Sequence, residues 1–259
     1  MEQITSRDNA KIKYAAKLSS SAAFRQQEGR FLAEGAKLCP ELAKGTPLLE
    51  LYVTEKALEK NPDLAQLPGE HFLIKPHVAE KLADVGSNQG VFGVFETPAP
   101  GWDAVHPGGR YLALERVQDP GNVGTLIRSA AAFGFDGVIL SDGCASPFSP
   151  KTLRASMGAA VRIPVVQVGG MAIAVEKMRE MGILTVAAAL YNSQPLSVVD
   201  TACPGGVCLV VGSEGQGLTD ETVAACEKAV RIPMTDKAES LNAGIAGSVL
   251  LWHFRGAAL

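Results

Sequence analysis

"YLALERVQDPGNVGTLIRSAAAFGFDGVILS", residues 111–141, joins two apolar runs through a polar turn and a stretch of small and apolar residues with helical spacing. Both runs are apolar without alternation, as strands covered on two faces are. A strand, a helix and a second strand within about 30 residues make a parallel crossover unit. The alternation continues downstream. Strand-like runs fall at 163–168 (IPVVQV), 183–190 (ILTVAAAL), 207–212 (VCLVVG) and 229–234 (AVRIPM), with helix-like stretches at 124–133, 150–158, 171–181, 219–226 and 240–254. This order predicts a parallel α/β sheet.

Upstream, the Pro- and Gly-rich segment 96–109 interrupts all periodicity and reads as a linker. Before it, helix-like stretches at 11–20 and 30–44 alternate with the apolar runs 48–54 (LLELYVT), 71–75 (HFLIK) and 90–96 (GVFGVFE). The expectation is a small α/β domain over 1–97, a linker over 98–109 and the parallel-sheet domain over 110–259.

A hydrophobic fraction of 47% with 20% charged residues describes a globular chain with a substantial core. No stretch reaches the roughly 18 apolar residues of a membrane span, and the N-terminus lacks the apolar run of a signal peptide. A cytoplasmic location is expected. Five cysteines without a C-x-x-C pair argue against a disulfide framework and against zinc. The net charge of -3 does not announce a nucleic-acid protein, yet five basic residues (Arg7, Lys11, Lys13, Lys17, Arg25) face a single acid, Asp8, between Gln3 and Arg25. Such an arm is either a solvated helix face or a phosphate contact.

In a parallel α/β sheet, ligands sit at the carboxyl ends of strands. Three loops there draw attention: "DPGNVGTLIR" (119–128), "GSEGQGL" (212–218) and "MTDKAESLNAG" (234–244). On a helix, Arg128 has no carboxylate at i±3 or i±4, so its partner is not a helix neighbour. The glycine spacing of 212–218 matches neither a dinucleotide fingerprint nor a P-loop, which leaves a plain turn and a ligand-binding turn both open. Glu214 stands among those glycines. Ser240 and Asn242 read as capping or ligand-touching residues, with Ser240 near the N-cap of a helix rich in small residues.

Taken in order, "DPGNVGTLIRSAAAFG", "LVVGSEGQGL" and "IPMTDKAESLNAGIAGSVLLW" resemble the three signature motifs of the SpoU/TrmH-type RNA ribose 2'-O-methyltransferases of the SPOUT superfamily. The upstream "ITSRDNAKIKYAAKL" and "RQQEGRFLAEGAKL" look like that family's substrate-binding extension, a small ribosomal-protein-like α/β domain that grips RNA. The resemblance implies a parallel sheet with a deep trefoil knot, a homodimer, S-adenosylmethionine as methyl donor, no metal and no membrane. It implies that Arg128, Asn122, Glu214, Ser240 and Asn242 act on the substrate. It also implies that Gly212, Ile232 and Leu241, with Leu190 beside them, line the cofactor pocket. RNA contacts are expected from Arg7, Lys11, Lys13, Arg25 and Arg30. Where many members carry glycine after "IPM", this chain has Asp236 within "IPMTDKAE".

The implied reaction is transfer of a methyl group to a ribose 2'-hydroxyl, with ribosomal RNA of the large subunit favoured over transfer RNA. Arginine is a poor resting base, which makes positioning and charge stabilisation the better-founded role for Arg128. Rival readings are base methylation on the same fold and a non-catalytic RNA-binding protein. A dinucleotide-dependent oxidoreductase is disfavoured because no strand is followed by G-x-G-x-x-G with an acid about 20 residues on.

Overall fold

A computed structural model describes residues 1–84 and 88–256. The chain separates into two compact units, residues 1–98 with 148–161, and residues 99–147 with 162–259.

The first unit opens with β1 (Glu2–Ile4), α1 (Ala10–Ser20), α2 (Ala22–Glu28) and β2 (Arg30–Glu34), followed by α3 (Leu38–Leu42) and β3 (Leu48–Val53). It continues through α4 (Glu55–Lys60), β4 (Glu70–Ile74), α5 (Pro76–Leu82) and β5 (Val91–Glu96). The sheet order is β1-β4-β3-β5-β2, with β5 antiparallel to both neighbours. Helices α1 and α5 cover one face, packing Ile12, Ala15, Leu18, Val78 and Leu82 on Tyr52, Phe72 and Phe92.

The helix expected over 30–44 is corrected here. Residues Arg30–Glu34 form a strand, bounded by Gly29 at φ +60 and Gly35 at φ +135, and only Leu38–Leu42 is helical. Left-handed glycines at 29 and 35 leave no room for a continuous helix, and pairing with β5 supplies the backbone bonds instead.

The second unit carries β6 (Arg110–Glu115), α6 (Pro120–Ala132) and β7 (Gly137–Ser141). The chain then contributes α7 (Pro150–Ser156) to the first unit, where Phe148 stacks on Phe31 at 5.1 Å between ring centroids. It returns with β8 (Val165–Val168), α8 (Met171–Glu180), β9 (Leu184–Ala188) and β10 (Gln194–Pro195). The last elements are β11 (Val207–Gly212), α9 (Asp220–Ala225), β12 (Lys228–Arg231) and α10 (Ala243–His253).

These seven strands run in the order β10-β12-β9-β11-β6-β7-β8, and every pairing is parallel. Helix α8 packs Met171, Val175 and Met178 on one face, against Tyr111, Ala113, Ile139 and Val210. Helices α6 and α10 pack on each other, and a Cβ added at Gly247 of α10 would lie 2.3 Å from Leu126 Cδ2 and 3.6 Å from Val211 Cγ2. Glycine is what lets these backbones approach. Ser129 and Ser248 share a hydrogen bond of 2.9 Å across the same contact.

Two boundaries differ from expectation for stated reasons. The helix expected from 124 begins at Pro120, because Asp119 caps it by accepting from the Asn122 N–H and proline suits the first helical position. The last helix begins at Ala243, not 240: the cap is Asn242, whose side chain accepts from the Ile245 N–H, and Ser240 lies before it.

Candidate active site

Strands β6 and β11 lie side by side, and the chains leaving their carboxyl ends diverge. After β6 the path runs through α6 to β7 on one side, and after β11 through α9 to β12 on the other. An open parallel sheet forms its ligand crevice where connections part in this way. The two motif loops that follow these strands therefore border one crevice, and the loop from β12 to α10 reaches the same region through the α6–α10 contact.

The meeting point is Asn122. Its Nδ2 donates to Glu214 Oε1, joining the first motif to the second. A Cβ on Gly244 would stand 3.0 Å from Asn122 Oδ1 and 3.1 Å from Asn242 Oδ1, so the third motif adjoins the same side chain. Asn122 occupies this position because Asp119 and Pro120 start the helix there and turn its first residues toward the crevice.

The glycine loop is held tightly. Ser213 and Gly217 form an isolated bridge, and a Cβ on Gly212 would lie 2.2 Å from the Gly217 carbonyl carbon. Beneath it, Glu115 is buried at the end of β6 and accepts from the Thr219 N–H at 2.8 Å, the Thr219 hydroxyl at 3.0 Å and the Thr222 hydroxyl at 2.8 Å. Charge-assisted bonds of this kind contribute about 1.5–3 kcal/mol each. Glu115 thus fixes the N-terminus of α9 and the end of the glycine loop, a role the sequence did not reveal because its partners lie more than 100 residues away.

Leu190 and Leu241 are exposed, as are Tyr191 and Met234, while Ile232 is half-buried. Apolar side chains left open near glycine turns that expose backbone groups suit a ligand with a flat ring system and hydrogen-bonding edges. Among the described residues no group of three His, Cys, Asp or Glu side chains is arranged to hold a metal ion.

Arg128 stands apart from Asn122 and Glu214. It lies six residues beyond Asn122 on α6, about 9 Å along the axis and about 120° around it. It is exposed and makes no hydrogen bond or ion pair among the described residues. Ser240 is likewise exposed in the loop preceding α10. Arg116, which the sequence reading passed over, is exposed at φ +54 at the mouth of the first motif, a conformation costly for a side chain with a Cβ.

The N-terminal basic residues divide. Arg25 is corrected: it is only 7% exposed, and its Nη1 donates to the Leu18 carbonyl at 2.8 Å and the Ser19 carbonyl at 3.1 Å, closing the end of α1. Arg7 is paired with Glu80, Lys13 with Asp8 at 2.9 Å, and Lys11 with Glu50 at 2.9 Å and Glu70 at 3.3 Å. Arg30 is exposed. All five cysteines are free thiols, and burial pushes Cys39 and Cys226 up to about 12, which removes them as nucleophiles at neutral pH.

Fold and site together define a parallel α/β protein with a three-loop ligand crevice, the class its motifs resemble. Residues 109–252 match the SpoU rRNA Methylase family and residues 9–93 an MRM3-like substrate binding domain. The chain belongs to the SpoU rRNA methylase family. It is 35% identical over 97% of its length to an uncharacterized tRNA/rRNA methyltransferase of Synechocystis, covering 93% of that protein. It is 29% identical over 99% of its length to the Bacillus subtilis 23S rRNA (guanosine(2553)-2'-O)-methyltransferase RlmP, covering 100% of that protein. An AdoMet-bound rRNA methyltransferase from Sinorhizobium meliloti superposes with a TM-score of 0.87 at 30% identity, over 100% of this chain and 98% of that one. The SpoU methyltransferase AviRb from Streptomyces viridochromogenes, in complex with AdoMet, gives 0.86 at 28% identity over 95% and 97% of the two chains.

Proposed function

We propose that this protein transfers a methyl group from S-adenosylmethionine to a ribose 2'-hydroxyl of RNA, with ribosomal RNA of the large subunit as substrate, in the cytoplasm and as a homodimer. The observation that carries the reading is the junction at Asn122, where Glu214 of the second motif and Gly244 and Asn242 of the third adjoin one side chain of the first. In this reading residues 110–259, apart from the excursion of 148–161 into the first unit, are the methyltransferase domain, 1–97 the RNA substrate-binding domain and 98–109 the link between them. The knot of the family accompanies it.

The residues around the crevice fit S-adenosylmethionine. Gly212, Ile232 and Leu241 hold it by backbone groups and apolar contact, and Leu190 covers the adenine side. When bound, this cofactor supplies an electrophilic methyl group on a sulfonium centre. Glu214 fixes the Asn122 amide, whose remaining hydrogen-bonding groups orient the incoming ribose with Ser240 and Asn242. Arg128 pairs with an RNA phosphate and stabilises the charge that develops on the 2'-oxygen as its proton leaves. Its lack of a partner among the described residues supports that assignment.

Arg128→Ala tests it directly. The variant is expected to keep its melting temperature and its S-adenosylmethionine affinity by calorimetry, and to lose about 10²-fold or more in labelled-methyl transfer to RNA. Near wild-type turnover sinks the role of Arg128. Nucleoside analysis of the product separates 2'-O from base methylation.

A further inference from the structure

The residues first expected to meet RNA are largely committed to protein partners, and a different basic surface exists in the same unit. At the carboxyl ends of β3 and β4 lies a cavity of about 1040 Å³. Its lining includes Lys37, Lys56, Lys60 and Lys75, with Arg154 at one end.

Topology accounts for its position. The crossovers β2–α3–β3 and β3–α4–β4 step across the sheet in one direction and β1–α1–β2 in the other. Right-handed crossovers therefore place α3 and α4 on the face opposite α1. Helix α5, which follows β4, packs on α1. The chains leaving adjacent β3 and β4 thus part to opposite faces, which opens a crevice at their ends.

The charges in this crevice do not balance internally. Of its acids, Glu80 is held by Arg7 and Glu55 by Lys75 at 3.5 Å. Arg154 is held by Asp84 at 2.7 Å. Lys37, Lys56 and Lys60 are exposed and form no ion pair among the described residues, against the single remaining acid, Glu34. Lys56 and Lys60, four residues apart on α4, present their ammonium groups on one side. Among the described residues no aromatic ring lines the cavity, so it offers lysines for phosphates and no platform for stacking bases.

We propose that this crevice holds an RNA strand by its phosphate backbone, through Lys37, Lys56 and Lys60, without reading the bases. The proposal rests on the assignment of RNA as substrate and adds the path the strand takes over the first unit. A grip of this kind shows itself in salt dependence: each phosphate contact to a single strand contributes about 0.7 to the slope of log affinity against log salt.

The test measures binding of a fluorescein-labelled single-stranded oligouridylate to the full chain by anisotropy, from about 50 to about 200 mM salt. Lys56→Ala/Lys60→Ala is expected to lower the slope by about 1.4 and to raise the KM for RNA, with kcat and S-adenosylmethionine affinity unchanged. Lys44→Ala/Lys177→Ala, an equal loss of charge outside the crevice, is expected to keep the wild-type slope. A groove variant with the wild-type slope, or a control with an equal drop, overturns the proposal and leaves the assigned activity standing. A wild-type protein that shows no salt-dependent affinity for the oligouridylate overturns the proposal, and one that binds S-adenosylmethionine but transfers no labelled methyl to RNA overturns the assigned activity as well.

Discussion

Gly212→Ala isolates the part the glycine loop plays. Gly212 is not in the left-handed region, so alanine suits its backbone and the perturbation is steric alone. The new methyl carbon would lie 2.2 Å from the Gly217 carbonyl carbon and 2.4 Å from the Leu218 nitrogen. Carbon atoms rest at about 3.5 Å or more, so the loop has to retreat by more than about 1 Å. Residues 214–217 are exposed, so that retreat leaves the core packed and costs about 1–3 kcal/mol, a fall in Tm of about 2–12 °C. The site suffers more. A displacement of about 1 Å costs about 10²-fold in rate, and here it carries Glu214 away from Asn122. Calorimetry is expected to show at least about tenfold weaker S-adenosylmethionine binding, close to 1.4 kcal/mol, and the methyl-transfer assay about 100-fold lower kcat/KM. Gly215→Ala, whose Cβ meets nothing within 4 Å, is expected to behave like wild type in both assays. Wild-type affinity and turnover in Gly212→Ala would refute the claim that this loop and Asn122 form one site.

Ile245, Val249 and Trp252 form an exposed apolar stripe at helical spacing on α10, with Trp252 52% and Ile245 56% exposed. Sedimentation is expected to find the wild type dimeric and Ile245→Glu monomeric with an unchanged Tm, while a monomeric wild type refutes a dimer built on this face. Alkaline pH gives a separate check: Cys39 and Cys226 titrate near 9.0 when unfolded and at about 12 when buried, so the folded state holds their protons more tightly. Stability is therefore full below about pH 9 and falls above it by up to about 1.4 kcal/mol per pH unit per thiol. Urea unfolding at pH 8 and pH 10 is expected to show the fall, and Cys39→Ala a shallower one; an unchanged slope in that variant removes Cys39 from the account.

Which parts of the molecule were readable in advance follows from the range of the forces involved. The parallel sheet was readable because strands such as Val207–Gly212 are apolar on both faces, a property of consecutive residues. The strand Arg30–Glu34 was not, because its identity comes from pairing with Val91–Glu96, some 60 residues away, and Leu, Ala and Glu favour a helix on local grounds. Charge is redistributed by folding for a related reason. A sequence counts Arg7, Lys11, Lys13 and Arg25 as one basic arm, but folding gives Arg7 and Lys11 partners from distant segments, Glu80 and Glu50, while Lys13 and Arg25 are taken up nearby by Asp8 and the Leu18 carbonyl; it also gathers Lys37, Lys56 and Lys60 from two separate helical regions into one crevice. Arg128 is the opposite case. The absence of an acid on its own helix was visible in the sequence, and no described segment of the fold supplies one. An exposed arginine without a partner adds little to stability, so neither packing nor pairing among the described residues accounts for it, which is why the proposed RNA phosphate is tested at this residue.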